Sequence, residues 1–272
     1  MTATTTRTPE VRESRRRPRR EREVNLTGIP PLRGLLPLLI LLVLWQLFGQ
    51  NHSAYYAAPG GWISGVRPLW PGTLLSGIGQ TALTWIEALV IATVLGTVLG
   101  MMIGRSRFFD RLLGPFLEFC RVMPTSAIVP IVVLIAGYTI RMQLGVVVLG
   151  AIWPVLLGVR SSAQRIRPQL IDVGRSMHLS RWEAVRKIIF PSVVPGILEG
   201  VRISAPVTLV IVLLVEILTQ IGGLGALMSV AQQNYNSAQL YGLVFIIGIM
   251  GLLAGWGVSY LSRRAERYWA GS

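Results

Sequence analysis

The chain alternates between long apolar stretches and short, strongly basic ones. Apolar runs near or above the roughly 20 residues needed to cross a bilayer recur through residues 34–261. They predict six membrane helices, at about Gly34–Phe48, Gln80–Ile103, Leu113–Ala136, Met142–Val159, Ile197–Leu218 and Leu240–Leu261. The third is interrupted by Pro124 and Pro130. In the second, Gly96, Gly100 and Gly104 fall in register, a spacing that lets a neighbouring helix approach closely. Between the fourth and fifth runs lies a polar insert, residues 160–191. Within it, Asp172–Pro195 reads as a short helix, a break, and a second helix that starts at Ser180 and ends at Pro191. Ser180 followed three residues later by Glu183 is the pattern of a capping box. Val173, Met177, Val185, Ile188 and Ile189 recur at roughly helical spacing and predict one apolar face free to meet a partner.

Charge fixes the orientation. The net charge is +14, which in one patch would suggest nucleic acid, but the basic residues are dispersed between the apolar runs. The tail (residues 1–33), the 105–111 turn, the 160–187 insert and the C-terminus carry the arginine clusters, whereas the two long intervening loops, 49–79 and 219–239, are nearly free of them. Six helices with both termini cytoplasmic satisfy every cluster at once. The tail has the composition of a disordered segment that sets orientation or lies against anionic lipid, and no cleavable leader pattern is evident. Trp62 and Trp70, in the outer segment, suit the headgroup level.

Composition narrows the chemistry. With 52% hydrophobic and 14% charged residues, the chain is a membrane protein and not a soluble domain. Its one cysteine, Cys120, falls in an apolar run and reads as a small core residue. The two histidines, His52 and His178, fall on opposite sides of the predicted membrane, and the sequence contains no metal cluster, nucleophile–base pair or Walker-type phosphate loop. No cofactor or catalytic residue is expected. Ionisable residues in or near the apolar runs are Glu87, Glu118, Arg121, Glu199, Arg202 and Glu216. Glu118 with Arg121 and Glu199 with Arg202, each three apart near the cytoplasmic boundary, are read as local ion pairs. Glu216 has no charged neighbour in sequence. It is a candidate for the translocation path or gate, with Met123 and Pro124, or else for a helix cap or interhelical hydrogen bond.

The insert resembles the EAA motif of binding-protein-dependent ABC importer permeases: Glu-Ala-Ala, three residues, Gly, nine residues, Ile, one residue, Leu-Pro. Asp172, Val173 and Gly174 stand at the first three positions and His178 at the glycine, with Ile188, Phe190 and Pro191 at the end. The spacing is intact while Glu, both Ala and Gly are replaced. The segments GRSRFFDRLLGP (104–115), RVMPTSAIVPI (121–131), LGAIWPVLLGVRS (149–161), FPSVVPGILEGVRIS (190–204) and VEILTQIGGLGAL (215–227) are similar to the nitrate/sulfonate/taurine-type branch. This resemblance, over about residues 34–268, implies an all-α, six-helix type I ABC importer permease fold. It also implies a bacterial inner-membrane location, a second permease subunit, two cytoplasmic ATPase subunits that bind the ATP, and an extracytoplasmic binding protein. Asp172, Gly174, Met177, His178, Ser180, Arg181 and Trp182 would then form the coupling contact with the ATPase, and the replaced motif residues point to a heterodimer whose other half carries the regular motif. The implied cargo is a small anion, such as nitrate, a sulfonate, taurine or an aromatic carboxylate. The alternatives are a pyrimidine or vitamin precursor or, outside the class, an ion-coupled secondary transporter or a membrane scaffold.

Overall fold

A computed structural model describes residues 32–48 and 55–270; the basic tail up to residue 31, and His52, lie outside the described residues. The described residues are helical throughout: α1 Leu32–Phe48, α2 Pro59–Val66, α3 Gly72–Arg105, α4 Arg107–Val122, α5 Thr125–Ala136, α6 Ile140–Gln164, α7 Pro168–Ser176, α8 Arg181–Ala184, a π-turn Val185–Ile189, α9 Phe190–Thr219, α10 Gly223–Gln233 and α11 Ser237–Ala270. By contacts the chain divides into Met1–Val43 and Leu44–Ser272, and the second unit carries everything described below.

Among the described residues, four helices are long and apolar enough to cross a membrane: α3, α6, the continuous Arg181–Thr219 and α11. The expected third span is instead two helices, α4 and α5, bent by 93°. Pro124 is where the chain breaks, because proline disfavours helical geometry in the residue before it, and Met123 is accordingly extended (φ −64°, ψ 124°). Pro130 lies inside α5 without interrupting it. The first expected span is the 17-residue α1, of which Leu39–Phe48 is apolar but shorter than a span.

Small residues build the core. A Cβ on Gly96, Gly100 or Gly104 would lie 2.7–3.0 Å from α6, at Val155, Leu156 and Arg160, so the predicted stripe on α3 is its seam with α6. A second seam, not picked out in the sequence, joins α6 to α9: a Cβ on Gly158 would meet the Gly196 carbonyl at 2.7 Å, and one on Gly200 would meet Val155 at 2.6 Å. Ser204 donates to the Ala151 carbonyl (2.6 Å) across the second seam, and Trp85 donates to the Ala205 carbonyl (2.8 Å) and so links α3 directly to α9. At the arginine-rich end, Arg160 and Gln164 both donate to Asp110, at 2.7 and 2.8 Å, and so tie α4 to α6.

Two segments expected as outer loops are partly helical. α2 and the start of α3 occupy much of 49–79, and α3 begins at Gly72, eight residues before the expected span at Gln80. Trp62 does not stand alone: its indole packs on Trp45, Tyr241 and Phe245 and donates to Ala57. The glycine-rich stretch after α9 begins α10, an 11-residue helix.

Candidate functional site

The polar insert forms two short helices joined by a tight turn. α7 starts with Pro168 at its first turn, where a missing N–H leaves nothing unpaired. It ends when His178 turns left-handed (φ 51°) and Leu179 N–H reaches back to the Gly174 carbonyl at 3.0 Å. This is a Schellman-type stop, whose left-handed position glycine fills most easily. The motif glycine is therefore explained by a turn, and His178 makes that turn with a side chain attached.

Ser180 opens the next helix with both halves of the expected capping box. Its hydroxyl accepts from Glu183 N–H (3.3 Å), while its own N–H donates to the Glu183 carboxylate (3.0 Å). These backbone and hydroxyl bonds from Ser180, together with Lys187 at 3.1 Å, hold the Glu183 carboxyl down from an ordinary 4.5 to about 2.

The helix that begins here does not end at Pro191, as the sequence suggested. Arg181–Thr219 is one helical run of 39 residues. Pro191 is accommodated because it stands in the first turn of α9, directly after the π-turn, while Pro195 and Pro206 lie inside α9 without ending it.

The expected single apolar face is divided in two. Ile189 is buried and Ile188 packs under Gly174, where a Cβ would come within 2.7 Å of it. Val173, Met177 and Trp182 point outward, with Met177 67% and Trp182 73% exposed. His178, Asp172, Ser180 and Arg181 share this exposed surface. All the residues expected to couple therefore lie on one surface element except Gly174, which is buried and supports it from behind.

The three candidates for the path do not come together. Glu216 is 1% exposed and is held by hydrogen bonds between helices. Thr81 Oγ1 of α3 donates to its carboxyl at 2.9–3.0 Å, and Gly225 N–H at the start of α10 donates at 2.9 Å. Thr81 in turn accepts from Leu224 N–H (2.8 Å), and Gln80 accepts from Gly223 N–H (2.9 Å). Gly223 has φ 84°, and any Cβ there would collide with Glu216, so glycine is required on both counts. Of the two roles open to Glu216 in the sequence, its geometry is the interhelical one.

Met123 and Pro124 form the exposed α4–α5 bend. That bend lies near the middle of the bundle: a Cβ on Gly150, midway along α6, would be 2.8 Å from Thr125 and 2.6 Å from Ile211. Beside it, Arg121 lines a cavity of about 480 Å³ with Trp153, Pro154, Arg165 and Glu199. Arg121 thus reaches the level of mid-α6 and not only the boundary, although its expected bond to Glu118 is present at 3.7 Å. The other expected pair is not formed: Arg202 bonds to Glu266 of α11 at 2.9 Å and leaves Glu199 to the cavity.

The fold and this element define a class, a polytopic helical permease of the type I ABC importer kind. Residues 92–267 match the family described as "Binding-protein-dependent transport system inner membrane component", more than half of the chain, and the chain belongs to it. It is 27% identical to the bicarbonate transport system permease protein of Synechocystis sp. over 86% of this chain and 88% of that one. Against the nitrate import permease protein of the same organism the figures are 26%, 85% and 87%. Among solved structures, the inward-facing MetNI methionine ABC transporter matches with a TM-score of 0.62 at 18% identity, covering 73% of this chain and 98% of that chain, which shows the shared fold. The chain is a multi-pass membrane permease subunit of an ABC importer, a family whose members work with ATPase subunits and a substrate-binding protein.

Proposed function

We propose that this permease imports a small anion and is driven through the surface of residues 172–182 by two ATPase subunits that bind and hydrolyse the ATP. The observation that carries the reading is the exposed Met177–His178–Trp182 surface, whose last residue lies on the helical run continuous with α9. ATP can shift a permease only through a contact that differs between its states, and an exposed surface that passes through one tight turn into a membrane span is suited to that. The arginine clusters support a cytoplasmic position for this surface and for both termini. The anion reading is supported by the bicarbonate and nitrate relatives.

The path runs, in this reading, past the α4–α5 bend. A broken helix at mid-depth is tolerated where it faces protein or water, and Met123, Pro124 and the adjoining cavity offer that setting. Glu216 acts as a fixed brace away from the cargo. A second permease completes the path. A heterodimer is favoured by the replaced motif positions, while the left-handed turn at His178 keeps this copy competent to couple.

The test is the double variant Met177→Asp/His178→Asp in the assembled importer. The expected result is weakened ATPase association or hydrolysis uncoupled from transport, with unchanged membrane insertion. Normal transport with normal stimulation of hydrolysis would exclude this surface as the coupling contact.

A further inference from the structure

Between the arginine-rich end of α3 and the α7–α8 turn lies a groove of about 810 Å³. Its bed is apolar and includes Met101 and Met102 from the last turns of α3, and Leu179 and Ile188 from the other side. Met102 is 55% exposed. The rim carries three arginines, Arg105, Arg175 and Arg181, and no acidic residue lines the groove. Arg105 and Arg181 have no ion pair or hydrogen bond among the described residues, and Arg175 reaches only the exposed Asp172, at 3.5 Å.

We propose that this groove binds an anionic phospholipid, with its phosphate among the three arginines and an acyl chain along Met101, Met102 and Ile188. Charge decides the occupant. A rim of positive side chains facing an apolar bed fits an amphiphile that carries negative charge at one end, and a zwitterionic lipid has less to gain there. Depth agrees with charge. The bed is the end of a membrane span and Arg105 is its last residue, so the arginines stand at headgroup level while the methionines stand at chain level.

The bound lipid would touch α3 on one side and the α7–α8 turn on the other, and so would influence how the coupling element sits against the span. Which leaflet supplies the lipid rests on the orientation proposed above; the preference for negative charge does not.

The test uses the assembled importer in detergent, stripped of lipid. It is titrated with phosphatidylglycerol or with phosphatidylcholine of identical chains, and bound lipid is counted by native mass spectrometry. The wild type is expected to retain phosphatidylglycerol the more tightly. Arg105→Gln with Arg175→Gln should weaken phosphatidylglycerol roughly thirtyfold and leave phosphatidylcholine unchanged, taking about a factor of five per arginine near a membrane surface. Met102→Trp, which fills the bed from an exposed position, should weaken both lipids. Equal retention of the two lipids by the wild type, a preference that survives the double arginine change, or an assembled importer that holds no lipid there would each overturn the proposal. If the variants fail to fold, the two-lipid comparison on the wild type still decides. The measurement involves neither hydrolysis nor transport, so its failure is separable from failure of the coupling reading.

Discussion

Two glutamates in this chain do the same chemistry in opposite surroundings. Glu183 accepts the Ser180 amide at the start of α8 with open water around it, and Glu216 accepts the Gly225 amide at the start of α10 with almost none. Both oppose the partial positive charge of a helix N-terminus. Around Glu183, water can replace any bond that is lost, so the cap shapes a surface element without being indispensable. Around Glu216, nothing can replace Thr81 or Gly225, and one carboxyl fixes three helices together. The same hydrogen bond is a local adjustment in one place and a structural brace in the other, and solvent makes the difference.

The comparison is tested most severely at the brace. Glu216→Ala orphans the Thr81 hydroxyl and the Gly225 amide and should cost about 3 kcal/mol, at roughly 1–3 for each buried unpaired group, read as a lower thermal midpoint in detergent. Glu216→Gln keeps one carbonyl acceptor and should cost less. A Glu216→Ala protein of normal stability that fails only in transport would make the residue a gate after all.

At the exposed cap, Ser180→Ala should cost about 1 kcal/mol, confined to faster amide exchange around residues 181–184, with the global midpoint little changed. His178→Gly removes the side-chain penalty of a left-handed residue and should slow exchange near Leu179, a gain of at most about 1 kcal/mol. The smallest effect concerns pH. Because the folded-state carboxyl of Glu183 is lowered to about 2, its contribution is complete above 4.5 and is lost as pH falls through about 2. Exchange protection at Ser180 should therefore be the same at a pH of about 7 and about 6, fall only in part at about 4 and be lost at about 2, and complete loss of protection already at about 4 would contradict the assigned bonds.

The legible parts of this fold are those written in local spacing. The apolar runs located the four long spans, Gly96, Gly100 and Gly104 located a seam, and Ser180 with Glu183 located a helix start, because each signal lies within one helix. What escaped depends on contacts distant in sequence. Gly158, Gly196 and Gly200 form the second seam only because α6 and α9 cross there. Arg202 has an acid three residues away, as a local pair would require, yet bonds to Glu266 sixty-four residues on. Met123–Pro124 could be read as an interruption but not as a right-angle bend, because the bend brings Thr125 against Gly150 of α6, a contact distant in sequence. Pro191 misled for a related reason: proline stops a helix only when its missing N–H is needed, and the π-turn before α9 removes that need.

The unbroken run from Arg181 to Thr219 also has a mechanical consequence. At about 1.5 Å per residue, its 39 residues make a rod of roughly 58 Å, pinned at the far end where Glu216 is clamped. A rod held at one end swings from there, so a given angular change produces little displacement near the clamp and progressively more toward the free end. A tilt of only about 10° carries that free end through an arc of roughly 10 Å, taking the helical rise above for its length. Read in reverse, a large stroke delivered at Trp182 arrives at mid-length, beside Gly200 and Ile203, as a movement of roughly half that size: the helix trades distance for force at the depth where the cavity lies.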